Sequence, residues 1–149
     1  ADEYFEKGLG IMTLDMPYSK DFLVSYIYNC IAGNMIEKVL YIEDILKNNF
    51  SDSADLNFAY GIFCMELAKM NPQKYMDYIM KIESSYLRCL EIGESKDTIT
   101  EGNGSYFAAY NLGVFYEVTG NKDFAIRYYE ISAEYGYESA KNRLKIINV

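Results

Sequence analysis

Residues 104–144 read GSYFAAYNLGVFYEVTGNKDFAIRYYEISAEYGYESAKNRL, and this stretch decides the fold. Apolar residues recur at helical spacing on both sides of Gly120, which predicts two helices joined by a tight turn. Gly113 lies in the middle of the first helix, where glycine costs about 1 kcal/mol relative to alanine. We expect a close approach of the second helix to compensate, with the small Ala125 facing Gly113 across the pair. The large residues expected around that contact are Leu112, Tyr116 and Tyr129.

The same stop and start signals recur earlier in the chain. Gly33-Asn34 repeats the break of Gly120-Asn121, and Asn71-Pro72 is a strong helix start, with Asn as the N-cap. The polar segment Gly93–Ser105 is predicted to be a loop, and no run alternates with the period of a hairpin. The chain is therefore predicted to be all-α, with helix pairs at 19–48, 53–92 and 105–136, a capping helix at 138–147 and a partial unit at 1–17.

Further signals concern the first half of the chain. Ser19 is the expected N-cap of a helix that Gly33 ends in a left-handed turn. Asn34 is then expected to cap the next helix, with Glu37 three residues later to close a capping box. A short N-terminal helix is expected over Asp2–Leu14. The chain begins at Ala1 without Met, which suggests a fragment of a longer protein.

The glycine and alanine spacing resembles the tetratricopeptide repeat, a unit of about 34 residues with large, glycine, large and alanine positions at set offsets. The Sel1-like repeat is closely related. Gly113, Gly120 and Ala125 fit the tetratricopeptide offsets, and Gly61 marks a more degenerate unit. Tyr137 stands where a proline often ends the unit. The resemblance implies a right-handed α-α superhelix of about three helix pairs, whose first helices line a concave groove.

Residues 104–144 also look like the repeat region that follows the catalytic domain in certain Firmicute family 2 glycosyltransferases, and the layout is similar from about Ser19 onward. In that bacterial family an Asp-x-Asp motif of the catalytic domain binds a metal and a sugar nucleotide. No Asp-x-Asp occurs here. Asp52 and Asp55 have the wrong spacing, and we interpret them as a helix cap with favourable dipole charge. The resemblance therefore implies an accessory module without a cofactor, not the transferase itself.

The charge and composition exclude several classes of function. The formal net charge is −8 and no Lys/Arg cluster stands out, so nucleic acid and anionic membranes are not expected as partners. The chain has no histidine, which removes the commonest general base and the commonest metal ligand. The longest uncharged runs, 22–36 and 102–116, fall short of the roughly 20 apolar residues of a membrane span.

The three cysteines are Cys30, Cys64 and Cys89, and each lies in an apolar helical stretch. Their odd number and their spacing match no zinc site, and no histidine is present to activate them as nucleophiles. We interpret them as reduced core residues of a cytoplasmic protein.

Other motifs are weak candidates for chemistry. Gly102-Asn103-Gly104 lacks the Lys-Ser/Thr of a phosphate loop, and Glu43-Asp44 is expected to be a solvated helix surface. The leading hypothesis is a non-catalytic protein-interaction or substrate-positioning module of a glycosyltransferase. The alternative is a free-standing cytoplasmic adaptor or a homodimerisation domain.

The groove of first helices is the sharper candidate site. Only Lys20 and Asn111 suit a clamp for a terminal carboxylate, so an apolar groove is expected. It would hold a peptide or helix, an adjacent catalytic domain or a second copy, and the other interpretation is that its residues simply pack on each other. Counted from the glycine offsets, the candidates are Leu23, Ile27, Phe58, Ile62, Phe107, Tyr110, Val114 and Glu117, together with Asp55 and Met65.

Overall fold

The computed structural model describes residues 19–49 and 52–148. This part of the chain is helical throughout and contains no strand, which confirms the predicted all-α class. The expected N-terminal helix and the partial unit at 1–17 lie outside the described residues. The α-helices are α1 (Ser19–Ala32), α2 (Glu43–Asn49), α3 (Ala54–Met70), α4 (Asp77–Ile92), α5 (Tyr106–Val118), α6 (Lys122–Glu134) and α7 (Glu138–Ile147), and a 3-10 helix (Ile36–Ile42) precedes α2.

Two helical hairpins dominate the packing, because α3 lies along α4 and α5 lies along α6. Helix α1 packs on α3, α4 packs on α5, and α7 closes the end by packing on α6. Helices α3 and α5 are apolar on most faces, whereas α4 and α6 are amphipathic. A helix that is apolar all round needs neighbours on several sides. The first helix of each hairpin accordingly buries more of its residues than the second.

A side-chain cap fixes the start of one helix in each hairpin. The Ser53 hydroxyl accepts a hydrogen bond from the Leu56 amide at the start of α3 (3.2 Å), and Asn121 Oδ1 accepts one from the Phe124 amide at the start of α6 (3.2 Å). The left-handed backbone of Gly120 (φ 87°) separates α5 from α6. The predicted break at Gly120-Asn121 is confirmed.

The region after α1 differs from the prediction. Asn34, not Gly33, adopts the left-handed backbone (φ 58°), so its side chain does not cap a helix. The next element is the 3-10 helix, which starts after Met35 and has no side-chain cap. The capping box with Glu37 is therefore wrong. Asn is one of the few non-glycine residues that tolerates a left-handed turn, and this use competes with its use as a cap.

The start of α4 also differs from the prediction. Asn71 Oδ1 accepts a hydrogen bond from the Lys74 amide (3.1 Å), as an N-cap does, but the residues after it form turns and the regular helix begins at Asp77. The Asn71-Pro72 signal therefore starts a single turn and not the regular helix. Within the two described ranges, none of the helices combines the length and apolar character that a membrane span needs.

Candidate functional site

A glycine and a tyrosine make the tightest contact of the α5–α6 hairpin. A Cβ placed on Gly113 would lie 2.5 Å from two ring carbons of Tyr129, which is fully buried. The expected partner, Ala125, is also fully buried but is not among the nearest atoms. The prediction of a close approach at Gly113 is correct, and the nearest atoms belong to Tyr129, one of the large residues expected around the contact.

The α3–α4 hairpin contains the same relationship. A Cβ on Gly61 would lie 2.9 Å from the ring of Tyr86, which is almost fully buried. In both hairpins a glycine of the first helix accommodates a tyrosine ring of the second. The two hairpins therefore share one internal packing device, although they differ in length.

Three of the predicted groove residues lie in the core. Leu23 and Ile27 of α1 have no exposed surface, and Phe58 of α3 is 8% exposed. Phe58 packs edge-on against Tyr86 with ring centroids 5.4 Å apart. These three side chains stabilise the stack of helices and offer no surface to a partner.

Tyr137, just before α7, covers another part of the predicted groove. Its ring centroid lies 5.3 Å from that of Phe107 and 5.3 Å from that of Tyr110, both edge-on. Edge-on aromatic pairs are favourable beyond the area they bury. Phe107 and Tyr110 thus pack on the chain itself, in the way that the second interpretation of the groove expects.

Arg143 of α7 contacts Glu117, the last of the predicted groove residues. Its guanidinium donates to both carboxylate oxygens of Glu117, with Nε 2.7 Å from Oε1. The Tyr129 hydroxyl also donates to Oε1 (3.0 Å). The hydrogen bonds from Arg143 hold the pKa of Glu117 below its usual value. This network ties α5, α6 and α7 together.

An apolar strip of the first helices stays partly exposed. Ile62 and Met65 on α3 and Val114 on α5 are half-buried. Val118 follows Val114 by one helical turn, on the same face, and is 80% exposed. These three predicted groove residues are half-buried, and together with Val118 they are called the apolar strip below.

Asp55 anchors the loop between the two hairpins. Its carboxylate is 3% exposed and accepts hydrogen bonds from the Ile99 amide (2.7 Å), the Thr100 amide (3.2 Å) and the Asn103 side chain (3.0 Å). The interpretation of Asp55 as a cap or groove residue is wrong, because Ser53 caps the helix instead. A buried carboxylate requires such donors to offset the loss of water.

Glu94 closes the same loop from its other end. Its Oε1 accepts hydrogen bonds from the Gly102 amide (2.6 Å) and the Ser105 hydroxyl (2.7 Å). The backbone of Gly93 approaches Gly104 so closely that a Cβ there would lie 2.3 Å from a carbonyl oxygen. The glycines of this segment therefore serve tight loop packing.

The cysteine thiols are poor nucleophiles in this environment. Cys30, Cys64 and Cys89 are free and buried. Burial raises the pKa of Cys64 to about 12 and, in the same way, the pKa of Cys89 to about 12. Both thiols are therefore protonated at neutral pH, whereas a nucleophilic cysteine needs the thiolate.

Comparisons with models of known protein families, with curated proteins and with solved structures find no match for this chain. The case for a function therefore rests on the residues and their geometry.

Proposed function

We propose that this chain is a tetratricopeptide-type repeat module that binds a partner protein and does no chemistry of its own. The observation that carries the proposal is the repeated contact of Gly61 with Tyr86 and of Gly113 with Tyr129 in two successive hairpins. Tetratricopeptide units use a small residue in the first helix at such a contact, and stacked units form a right-handed superhelix.

The environment of the reactive groups supports a binding role. The cysteine thiols are buried, and the carboxylates of Asp55, Glu94 and Glu117 are each engaged by two or more donors. Groups held in this way stabilise the architecture rather than act as general acids or bases. The free, buried cysteines also support a cytoplasmic setting, where thiols stay reduced.

The partner surface that we propose is the apolar strip of Ile62, Met65, Val114 and Val118. An exposed valine next to half-buried apolar side chains is the kind of surface that an apolar segment of another protein covers. Methionine adds adaptability to such a surface. In repeat proteins the first helices line the concave face, which supports a binding role for these positions.

Photo-crosslinking in the source cells tests this role without knowledge of the partner. The photoreactive residue p-benzoylphenylalanine replaces Val118 in the intact protein, and the matched control places it at Glu130, which is exposed on α6. We expect a discrete crosslinked species from position 118 and none from position 130. The proposal fails if position 118 yields no such species, or if both positions yield the same one.

Residues 104–144 resemble the repeat region of family 2 glycosyltransferases, and this resemblance extends the proposal to the protein in which the module acts. We place the module beside the catalytic domain of a family 2 glycosyltransferase, where it would hold an acceptor or a second subunit close to the active site. Reading the gene upstream of the Ala1 codon tests the setting. An in-frame domain with an Asp-x-Asp motif supports it, and an upstream frame without such a domain contradicts it.

A further inference from the structure

A cleft of about 320 Å³ opens between α2, α3 and α4, away from the strip described above. Its volume is at the lower end of the range for small-molecule sites. The residues that line the cleft take no part in the hydrogen bonds of Asp55, Glu94 and Glu117, which hold the loop between the hairpins and α7. Its walls include Leu46, Lys47, Leu56, Tyr60, Lys81 and Arg88.

The charge of this cleft is opposite to the charge of the chain. Of the residues that the structure describes, Lys47, Lys81 and Arg88 line it and no carboxylate does, although the chain as a whole carries a formal net charge of −8. Three cations around one concave site attract an anion that carries more than one charge.

Two of the cations also form ion pairs at the rim. Lys47 lies 3.7 Å from Glu43, and Arg88 lies 2.9 Å from Glu91. Lys81 lies over the ring of Tyr78, 4.1 Å from its centroid. The Arg88–Glu91 pair is exposed on both sides and contributes little to stability, so a multivalent anion can compete for Arg88.

Tyr60 and two leucines form another part of the wall. The hydroxyl of Tyr60 is fully buried, so it offers no polar contact to a ligand in the cleft. Leu46 and Leu56 add an apolar wall, which suits an organic group attached to the anion.

We propose that this cleft binds a small phosphomonoester. A phosphomonoester carries about two negative charges at neutral pH and three strong acceptor oxygens, which match the three cations. The guanidinium of Arg88 suits bidentate contact with phosphate oxygens. The organic group of the ester then lies on Leu46 and Leu56. This site is separate from the partner strip and does not depend on it.

Isothermal titration with phenyl phosphate at about pH 7.5, where its dianion predominates, tests the proposal. The comparison ligand is benzoate, a monoanion with a similar ring, and sodium chloride keeps the ionic strength constant. We expect phenyl phosphate to bind with a dissociation constant of about 1 mM or tighter. Benzoate is expected to bind at least about tenfold more weakly.

Variants that remove one charge each test whether phenyl phosphate binds in this cleft. Lys81→Gln and Arg88→Gln should each weaken phenyl phosphate binding about tenfold, and Lys81→Arg should retain it. The matched control is Lys141→Gln, which removes one charge from α7 and should bind like the original chain. Circular dichroism confirms that each variant is folded. The proposal is overturned by absence of binding, by equal affinity for benzoate, or by an equal loss in Lys141→Gln and Lys81→Gln.

Discussion

Gly113 of α5 lies directly under the ring of Tyr129 of α6, with no space for even a methyl group between them. Tyr129 is fully buried, and its hydroxyl donates to Glu117, so the ring is held at both ends. Glu117 in turn is held by Arg143 of α7. Gly113 therefore permits the close approach of α5 and α6, and Glu117 links both helices to α7.

Gly113→Ala should destabilise the chain by about 1–3 kcal/mol, because the added methyl overpacks a contact that cannot relax cheaply. The expected sign is opposite to that in an exposed helix, where alanine in place of glycine stabilises by about 1 kcal/mol. Urea unfolding followed by circular dichroism measures the change. Gly61→Ala should show the same sign with a smaller loss, since its Cβ would lie 2.9 Å rather than 2.5 Å from the ring. Equal or greater stability in Gly113→Ala would show that the contact is absent.

Asp55→Asn should destabilise by about 2 kcal/mol, because it removes the charge that three donors share and turns an N–H group toward other N–H groups. Amide hydrogen exchange at Ile99 and Thr100 should become faster. The matched control is Asp52→Asn, whose carboxylate is exposed and pairs only at the surface with Lys20. That control should change the free energy of unfolding by less than about 0.5 kcal/mol. Similar effects from the two variants would contradict a specific anchoring role.

Glu117→Gln should lower the melting temperature at neutral pH and lose this effect in acid. The pKa of Glu117 in the folded chain lies below the value of 4.5 for a free carboxyl. The stability from this group is therefore complete above about pH 4.5 and is lost as the pH falls through the lowered pKa. Melting curves across the acid range measure the difference between the two chains. Glu138→Gln, in an exposed pair with Lys141, should have little effect at any pH. A Glu117→Gln difference that is constant into acid would contradict the role of the ion pair.

The three cysteines should react with a thiol reagent only when the chain unfolds. Cys30, Cys64 and Cys89 are buried, and burial raises the pKa of Cys64 and Cys89 to about 12. Ellman's reagent should detect almost no thiol in native buffer and all three in denaturant. Rapid reaction of one thiol in native buffer would mean that its helix packs less tightly than described.

The starts of α3 and α6 follow closely from the sequence, because their caps act locally. Ser53 and Asn121 accept bonds from amides three residues later, and Gly120 needs its left-handed backbone whatever surrounds it. The segment after Gly33 was less predictable. Asn34 suits both a left-handed turn and a helix cap, and long-range packing decides between them.

The contacts between distant segments could not be predicted from spacing. Arg143 meets Glu117 across 26 residues, and Asp55 meets Asn103 across 48. The sequence around a charged residue on a helix surface is the same whether or not a distant partner contacts it. No local pattern therefore predicts such pairs. Long-range contacts also decide how much of the predicted groove is exposed, because Tyr137 and Arg143 cover part of it.

Nuclear magnetic resonance of the labelled chain tests the repeated glycine–tyrosine contact most directly. We predict strong nuclear Overhauser effects between the α-protons of Gly113 and the ring protons of Tyr129, and between those of Gly61 and Tyr86. The glycine α-protons should also be shifted by the ring currents. Both pairs of effects together would establish the same packing device in two successive hairpins. Their absence from either pair would contradict the repeat architecture on which the proposed function depends.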